Sequence, residues 1–363
     1  MIRRLAVEGI TVFPQQIAFD FVPGINVIVG SNDSGKSHLM KLCYALLKWA
    51  EKSPRREFPE TWAEEGRLRR CLLQAFGAQD LAAITSHRAE GGHATVRASM
   101  QGEKVPIGCA DLVFELQAQQ DTDRLSVSTM PQRFLQESAL FIPPREVLSL
   151  FPCYLQLGKR YPDLPDGTGR DLCCALETAS DSGSGNVPEK LRSVLRMVEL
   201  LLHGRLQRMG ARFLLQRTGE PPMELSMVAE GLKRPGTLGL LIDGGVLRPG
   251  CTVFWDEPEM NLNTAHLPLL CGILLGLCDA GVQVVITTHS LFLLRELTIG
   301  LSKHSNRSIS RRFIGLQVPA SPHEAVHVTS GDSPDEIGPP ESLQAEMEQA
   351  DRYLRMSNLP YPG

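Results

Sequence analysis

Up to residue 29, apolar positions recur in short alternating bursts: Leu5 and Val7, Ile10 and Val12, then Ile17, Phe19 and Phe21. A period of two predicts strands with one buried face. Pro23-Gly24 marks a turn, and the unbroken run Ile25-Asn26-Val27-Ile28-Val29 after it suits a strand buried on both faces. The period then changes. Leu39, Leu42, Cys43, Leu46 and Leu47 recur every three or four positions and predict a helix over 37–52, with another over 61–76. Residues 93–130 return to period two in Ala94/Val96/Ala98, Leu112/Phe114/Leu116 and Leu125/Val127, the pattern of an antiparallel meander. Leu140-Phe141-Ile142 is a short strand ended by Pro143-Pro144. Helical spacing is expected through 146–209, interrupted by a loop at Asp181-Ser182-Gly183-Ser184-Gly185-Asn186; the stripe Leu191, Leu195, Val198, Leu202 is too short for a long coiled coil. From residue 250 the pattern runs strand 251–255, helix 262–278, strand 282–287, helix 291–301, which predicts a parallel sheet covered by helices. A Pro/Gly/Ser-rich stretch around one strand at 325–328 and a polar helix at 341–356 follow.

These elements predict an α/β fold: a parallel core sheet with an N-terminal antiparallel β lobe and a helical insert. The expected division is 1–145 for the β lobe, 146–222 for the helical insert, 223–317 for the second part of the core, and 318–363 for a loop and helix, all within one head. At 363 residues and 42% hydrophobic, the chain has material for a large core. The net charge of −4 gives no general attraction to nucleic acid. DNA contact would need a local patch such as Arg55, Arg56, Arg67, Arg69 and Arg70, although a charge run is ordinarily a solvated helix face. No window approaches the ~18 apolar residues of a membrane span, and the N-terminus enters the strand pattern directly, without the apolar core of a signal peptide. The nine cysteines include no C-x-x-C pair, and Cys43, Cys251, Cys271 and Cys278 sit in apolar runs. They read as reduced, buried thiols of a cytoplasmic protein, not as a zinc site.

The chemistry begins at Gly30-Ser31-Asn32-Asp33-Ser34-Gly35-Lys36-Ser37, which fits G-x-x-x-x-G-K-[ST] between a strand and a helix. Backbone N–H groups of such a loop converge on phosphate because glycine has no Cβ in the way, and the helix adds its positive end. Lys36 is expected to reach the β- and γ-phosphates, and Ser37 to hold Mg²⁺. Downstream, Cys251-Thr252-Val253-Phe254-Trp255-Asp256-Glu257 is an apolar strand ending in two acids. Asp256 is placed to hold the metal directly or through water, and Glu257 to polarise attacking water. A further apolar strand ends in Thr287-Thr288-His289-Ser290, and His289 there could meet the γ-phosphate or the water.

The order and content of these motifs resemble the ABC-type ATPases, in which Walker A, signature, Walker B, D-loop and switch histidine follow in this sequence. Asp256-Glu257-Pro258-Glu259, Asn261-Leu262-Asn263 and Thr287-Thr288-His289-Ser290 resemble the stand-alone bacterial AAA/ABC-like group, relatives of the overcoming-lysogenisation-defect proteins and SMC-like repair ATPases. The stretch Phe141-Ile142-Pro143-Pro144-Arg145-Glu146-Val147-Leu148-Ser149 looks like one common in that group. The signature departs from the pattern. Leu225-Ser226-Met227-Val228-Ala229-Glu230-Gly231 stands in its place, but where Gly231 fits the glycine, Ala229 replaces the expected serine. Asn263 stands where many relatives carry Asp, and Gln117, Gln119 and Gln132 are alternative Q-loop candidates.

The resemblance implies a homodimer in which two heads sandwich ATP and Mg²⁺, the Glu230–Gly231 loop and Asn263 completing the partner's site. It also implies a task in bacterial DNA maintenance or phage defence with an effector protein. A nucleotide-gated scaffold with little turnover is the alternative, favoured by the altered signature and opposed by the intact Glu257. A transporter's ATP-binding subunit fits less well, because the mixed β and helical insert is larger than that role needs.

Overall fold

The computed structural model describes residues 1–52, 61–101, 111–119, 122–131, 138–160, 167–179, 187–210, 212–303, 309–319, 324–338 and 341–357. The chain opens with β1 (Ile2–Glu8), β2 (Ile17–Asp20) and β3 (Ile25–Gly30), followed by α1 (Lys36–Lys52) and α2 (Thr61–Phe76). The meander is β4 (His93–Met100), β5 (Asp111–Gln119) and β6 (Thr122–Thr129). With β1 and β2 it makes an antiparallel sheet in the order β2-β1-β4-β5-β6. Leu5, Val7, Val96, Phe114 and Leu116 are buried, and the predicted period of two follows from that one covered face.

After β7 (Ala139–Ile142) come α3 (Phe151–Arg160), α4 (Gly167–Thr178) and α5 (Glu189–Leu202). A small antiparallel sheet follows, of β8 (Arg205–Met209), β9 (Arg212–Gln216) and β10 (Met223–Glu224), and then α6 (Glu230–Asp243). The second α/β part is β11 (Thr252–Asp256), α7 (Leu267–Asp279), β12 (Gln283–Thr288), α8 (Leu291–Lys303), β13 (Arg311–Gln317) and β14 (His327–Gly331), with α9 (Glu341–Ser357) last. The core sheet runs β14-β13-β3-β12-β11-β7, parallel except for β14. Strands from both ends of the sequence therefore interleave.

Alternate residues of this sheet enter two hydrophobic clusters. Ile28, Phe141, Phe254 and Val285 face the cluster built with α1, α2 and the β lobe. Val27, Val29, Leu140, Ile142, Val253, Trp255, Val284 and Ile286 face the cluster built with α4 to α8. Burial on both faces is why these strands read as unbroken apolar runs.

Strands β8 and β9, within the span expected as a helical insert, and β13 differ from the sequence expectation. Residues 205–209 form β8 and not the end of a helix. His203 closes α5 in the left-handed region (φ 50), and Gly204 lies so near β9 that a Cβ would come within 2.5 Å of Gln216 O. Gly210 (φ 63) then turns the chain into β9. The strand β13 was not expected at all; it pairs in parallel with β3, and only tertiary pairing reveals its role. The loop expected at 181–186 lies outside the described residues. Among the described residues, no helix is long and apolar enough to cross a membrane.

Candidate nucleotide-binding site

Strands β3, β12 and β11 are adjacent, and their C-terminal ends bring three distant motifs together. The register pairs Thr287 with Asp256 and Thr288 with Val29. The Gly-rich loop leaves β3 and enters α1 at Lys36. It is held tightly: a Cβ on Gly30 would stand 2.5 Å from Leu316 O, and one on Gly35 (φ 91) 2.4 Å from Val12 Cγ2. Asp33 also lies in the left-handed region (φ 66). Lys36 Nζ donates to Gly30 O at 2.8 Å and Ser31 O at 2.7 Å, which holds the ammonium over the loop. The buried Ser34 Oγ has no hydrogen-bond partner. A glycine-spaced loop with an ammonium and an orphaned hydroxyl fits a polyphosphate.

Ser37 Oγ donates to Asp256 Oδ2 at 2.8 Å. Thr287 Oγ1 donates to Asp256 Oδ1 and accepts from Glu257 N at 3.0 Å. The middle strand thus clamps the end of β11 from both sides of one hydroxyl. Glu257 has a left-handed backbone (φ 47), which turns it out of the strand line. Its Oε1 lies 2.9 Å from His289 Nδ1, with the imidazole more than half exposed. A hydroxyl and a carboxylate together at the phosphate loop are hard oxygen donors, the set Mg²⁺ takes beside nucleotide phosphates.

A fourth element reaches this cluster. Arg234, on α6 and 4% exposed, donates from Nη1 to Glu257 O at 2.7 Å and from Nη2 to Asp256 O. Its guanidinium stands 6.0 Å from the Trp255 ring centroid. Burial pushes its pKa down to about 10 against the pull of Asp256, Glu259, Glu257 and Glu230. Sequence reasoning missed Arg234, because beside Glu230 and Lys233 it reads as one more charge at the start of a helix.

The chain resembles known proteins in this region. A family model described as "AAA domain, putative AbiEii toxin, Type IV TA system" matches residues 119–295, which take in Asp256, Glu257 and His289. A crystal structure of the SmcHead bound to the C-winged helix domain of ScpA aligns with a TM-score of 0.55 at 13% identity, covering 92% of this chain and 98% of that one. An Smc head domain with an extended coiled coil, bound to the C-terminal domain of ScpA from Pyrococcus furiosus, gives 0.52 at 12% identity, covering 97% and 99%. No curated protein matches the sequence. The chain has the fold of an ABC/SMC-type P-loop ATPase head.

Gly231 lies in the first turn of α6, after the N-cap Ala229 (φ −55, ψ 137). A Cβ there would come within 2.0 Å of Asn261 O, so the start of α6 packs on the turn after β11. Glu230 occupies the first helical position and pairs with Lys233 at 2.9 Å. Lys233 is itself buried and reaches Ser149 Oγ at 3.3 Å and Glu146 at 4.0 Å. The Pro-Pro-Arg-Glu stretch therefore braces the start of α6. Asn263 Oδ1 accepts from Ala265 N at 2.9 Å and caps the following turn. Gln117 and Gln119 lie on β5 of the antiparallel lobe, whereas Gln132 falls outside the described residues. Of the basic run, Arg67 binds Glu64 and Trp49 O, and Arg69 binds Asp123. Arg55 and Arg56 lie outside the described residues.

Proposed function

We propose that the head binds Mg·ATP at Gly30–Ser37 and hydrolyses it, with two copies closing over the nucleotide. The observation that carries this reading is the convergence of Ser37, Asp256, Glu257 and His289 at the ends of three adjacent strands. Gly30, Ser31, Asn32, Asp33, Ser34 and Gly35 supply the backbone cradle, and Lys36 pairs the phosphate charge. Ser37 and Asp256 would hold Mg²⁺, which when bound draws charge from the β- and γ-phosphates. Glu257 accepts the proton of the attacking water, and His289 orients that water or the γ-phosphate from the other side of the carboxylate.

Closure by a second copy has its own support. Met227, just before α6, is 75% exposed, and Phe292, just after the switch turn, is 54% exposed. Apolar side chains bared beside both halves of the site suit a surface that another copy covers. The Ala229–Glu230–Gly231 loop and Asn263 then complete the partner's site. By analogy with the toxin–antitoxin description and the partner-bound Smc heads, the head acts with an effector protein in bacterial DNA maintenance or phage defence, in the cytoplasm. Light scattering of Glu257→Gln with and without Mg·ATP tests the closure. The account expects mass to double with nucleotide; unchanged mass contradicts it.

One observation favours the second reading, a nucleotide-gated scaffold with little turnover. Glu230 puts a carboxylate at the helix end where the partner's phosphate would be received. Its pairing with Lys233 reduces that charge but does not remove it.

A further inference from the structure

We propose that Glu259 is a positioning residue for the hydrolysis: it anchors Thr288 and thereby fixes the turn that holds His289 against Glu257. The role rests on the hydrolytic reading above, but the brace itself is a property of the fold. Thr288 Oγ1 donates to Glu259 Oε1 and accepts from Ser290 N at 2.9 Å. His289 lies between these two anchored residues, and its Nδ1 meets Glu257 Oε1 at 2.9 Å. Ser290 Oγ next accepts from Leu293 N at 3.3 Å, which ties the turn to the start of α8. A continuous set of hydrogen bonds thus runs from the turn after β11 to the turn after β12 and back through the imidazole. It fixes the separation of the two groups that must share one water.

Glu257 and Glu259 stand two residues apart in different surroundings. Glu257 is turned toward the exposed imidazole. Glu259 is folded inward; its Oε2 is buried without a hydrogen-bond partner. Burial pushes its carboxyl above the ordinary range, and Glu257 adds to this, while the Thr288 hydroxyl and His289 oppose it. A buried carboxyl whose second oxygen finds no donor is best tolerated as the neutral acid. Glutamine matches the carboxyl in shape and keeps an oxygen for Thr288 to donate to. Replacement by glutamine should therefore separate the two residues: it removes the proton acceptor at 257 and preserves the brace at 259.

The test compares Glu259→Gln, Glu259→Ala, Thr288→Val and Thr288→Ser in the full chain, by steady-state phosphate release and by nitrogen-15 spectra of the imidazoles, with His289→Gln identifying its signal. Glu259→Ala and Thr288→Val should lower kcat about 10-fold to 100-fold, as small misplacements of reacting groups do, with KM held within about 2-fold. Both should also move the His289 signal. Glu259→Gln and Thr288→Ser should keep kcat within about 3-fold and leave that signal in place. Working from opposite ends of the contact, the two disruptive variants guard against one that fails to fold. An unmoved His289 signal in folded Glu259→Ala and Thr288→Val overturns the brace. Should Glu259→Gln be as inactive as Glu257→Gln, Glu259 transfers a proton itself and the positioning role is wrong. If the wild type releases no phosphate, the hydrolytic reading fails, and the His289 signal still decides the brace.

Discussion

Gly35 combines a φ of 91° with a gap of only 2.4 Å between an added Cβ and Val12 Cγ2, so the phosphate loop tolerates no side chain there. Gly35→Ala should weaken binding of a fluorescent ATP analogue by about 10-fold or more, while the fold melts within a few degrees of wild type. Glu259 makes a second residue-scale prediction. Its folded pKa is raised, so its contribution to stability is complete below the usual carboxylate range and is lost as pH rises through the elevated value. Glu259→Gln has no such loss. Its melting temperature relative to wild type should rise between acidic and neutral pH; a constant difference would mean that burial does not raise the Glu259 carboxyl. The principal candidates at this scale were legible in the sequence, because G-x-x-x-x-G-K-S and D-E-P-E are local runs. The anchoring of Asp256 by Thr287, and of Thr288 by Glu259, was not, because each joins residues about thirty positions apart.

Among the elements, α6 matters most for the site, since it carries the signature segment at one end and Arg234 one turn later. Through Arg234 it donates to the carbonyls of Asp256 and Glu257, and through Gly231 it rests on Asn261. The segment before α6 is thereby joined through one helix to the backbone of Asp256 and Glu257. Arg234→Ala takes its donor from Asp256 O and leaves Glu257 O with Met260 N alone, and it should cost about 2–4 kcal/mol in denaturant unfolding. In the folded fraction, turnover should fall more than nucleotide affinity; equal losses in both would assign Arg234 to the fold alone. The sequence pattern was sound for the meander, α1, α2 and the α/β alternation after residue 250, where period and burial agree. It failed at β8, where Arg205, Gln207 and Arg208 suit a helix and the left-handed His203 decides otherwise. It also missed β13, whose four buried residues are too few to stand out without their partner β3.

In the whole molecule, the core sheet separates two hydrophobic clusters, and the motifs meet at one edge of that sheet because β12 lies between β3 and β11. This order was not readable from the chain, since adjacent strands come from residues 25 and 283. On the proposed function, nucleotide and a second copy would both act on a site assembled from the two ends of the sequence. On the proposed function, Glu257 drives hydrolysis of ATP held at Lys36 and Ser37. Phosphate release at saturating Mg·ATP, compared between wild type and Glu257→Gln with ATP binding checked in both, tests it most directly. The account predicts measurable turnover in the wild type and a loss of about 100-fold or more in the variant, with binding retained. Equal turnover in the two proteins, or none in the wild type while it binds ATP, would contradict it.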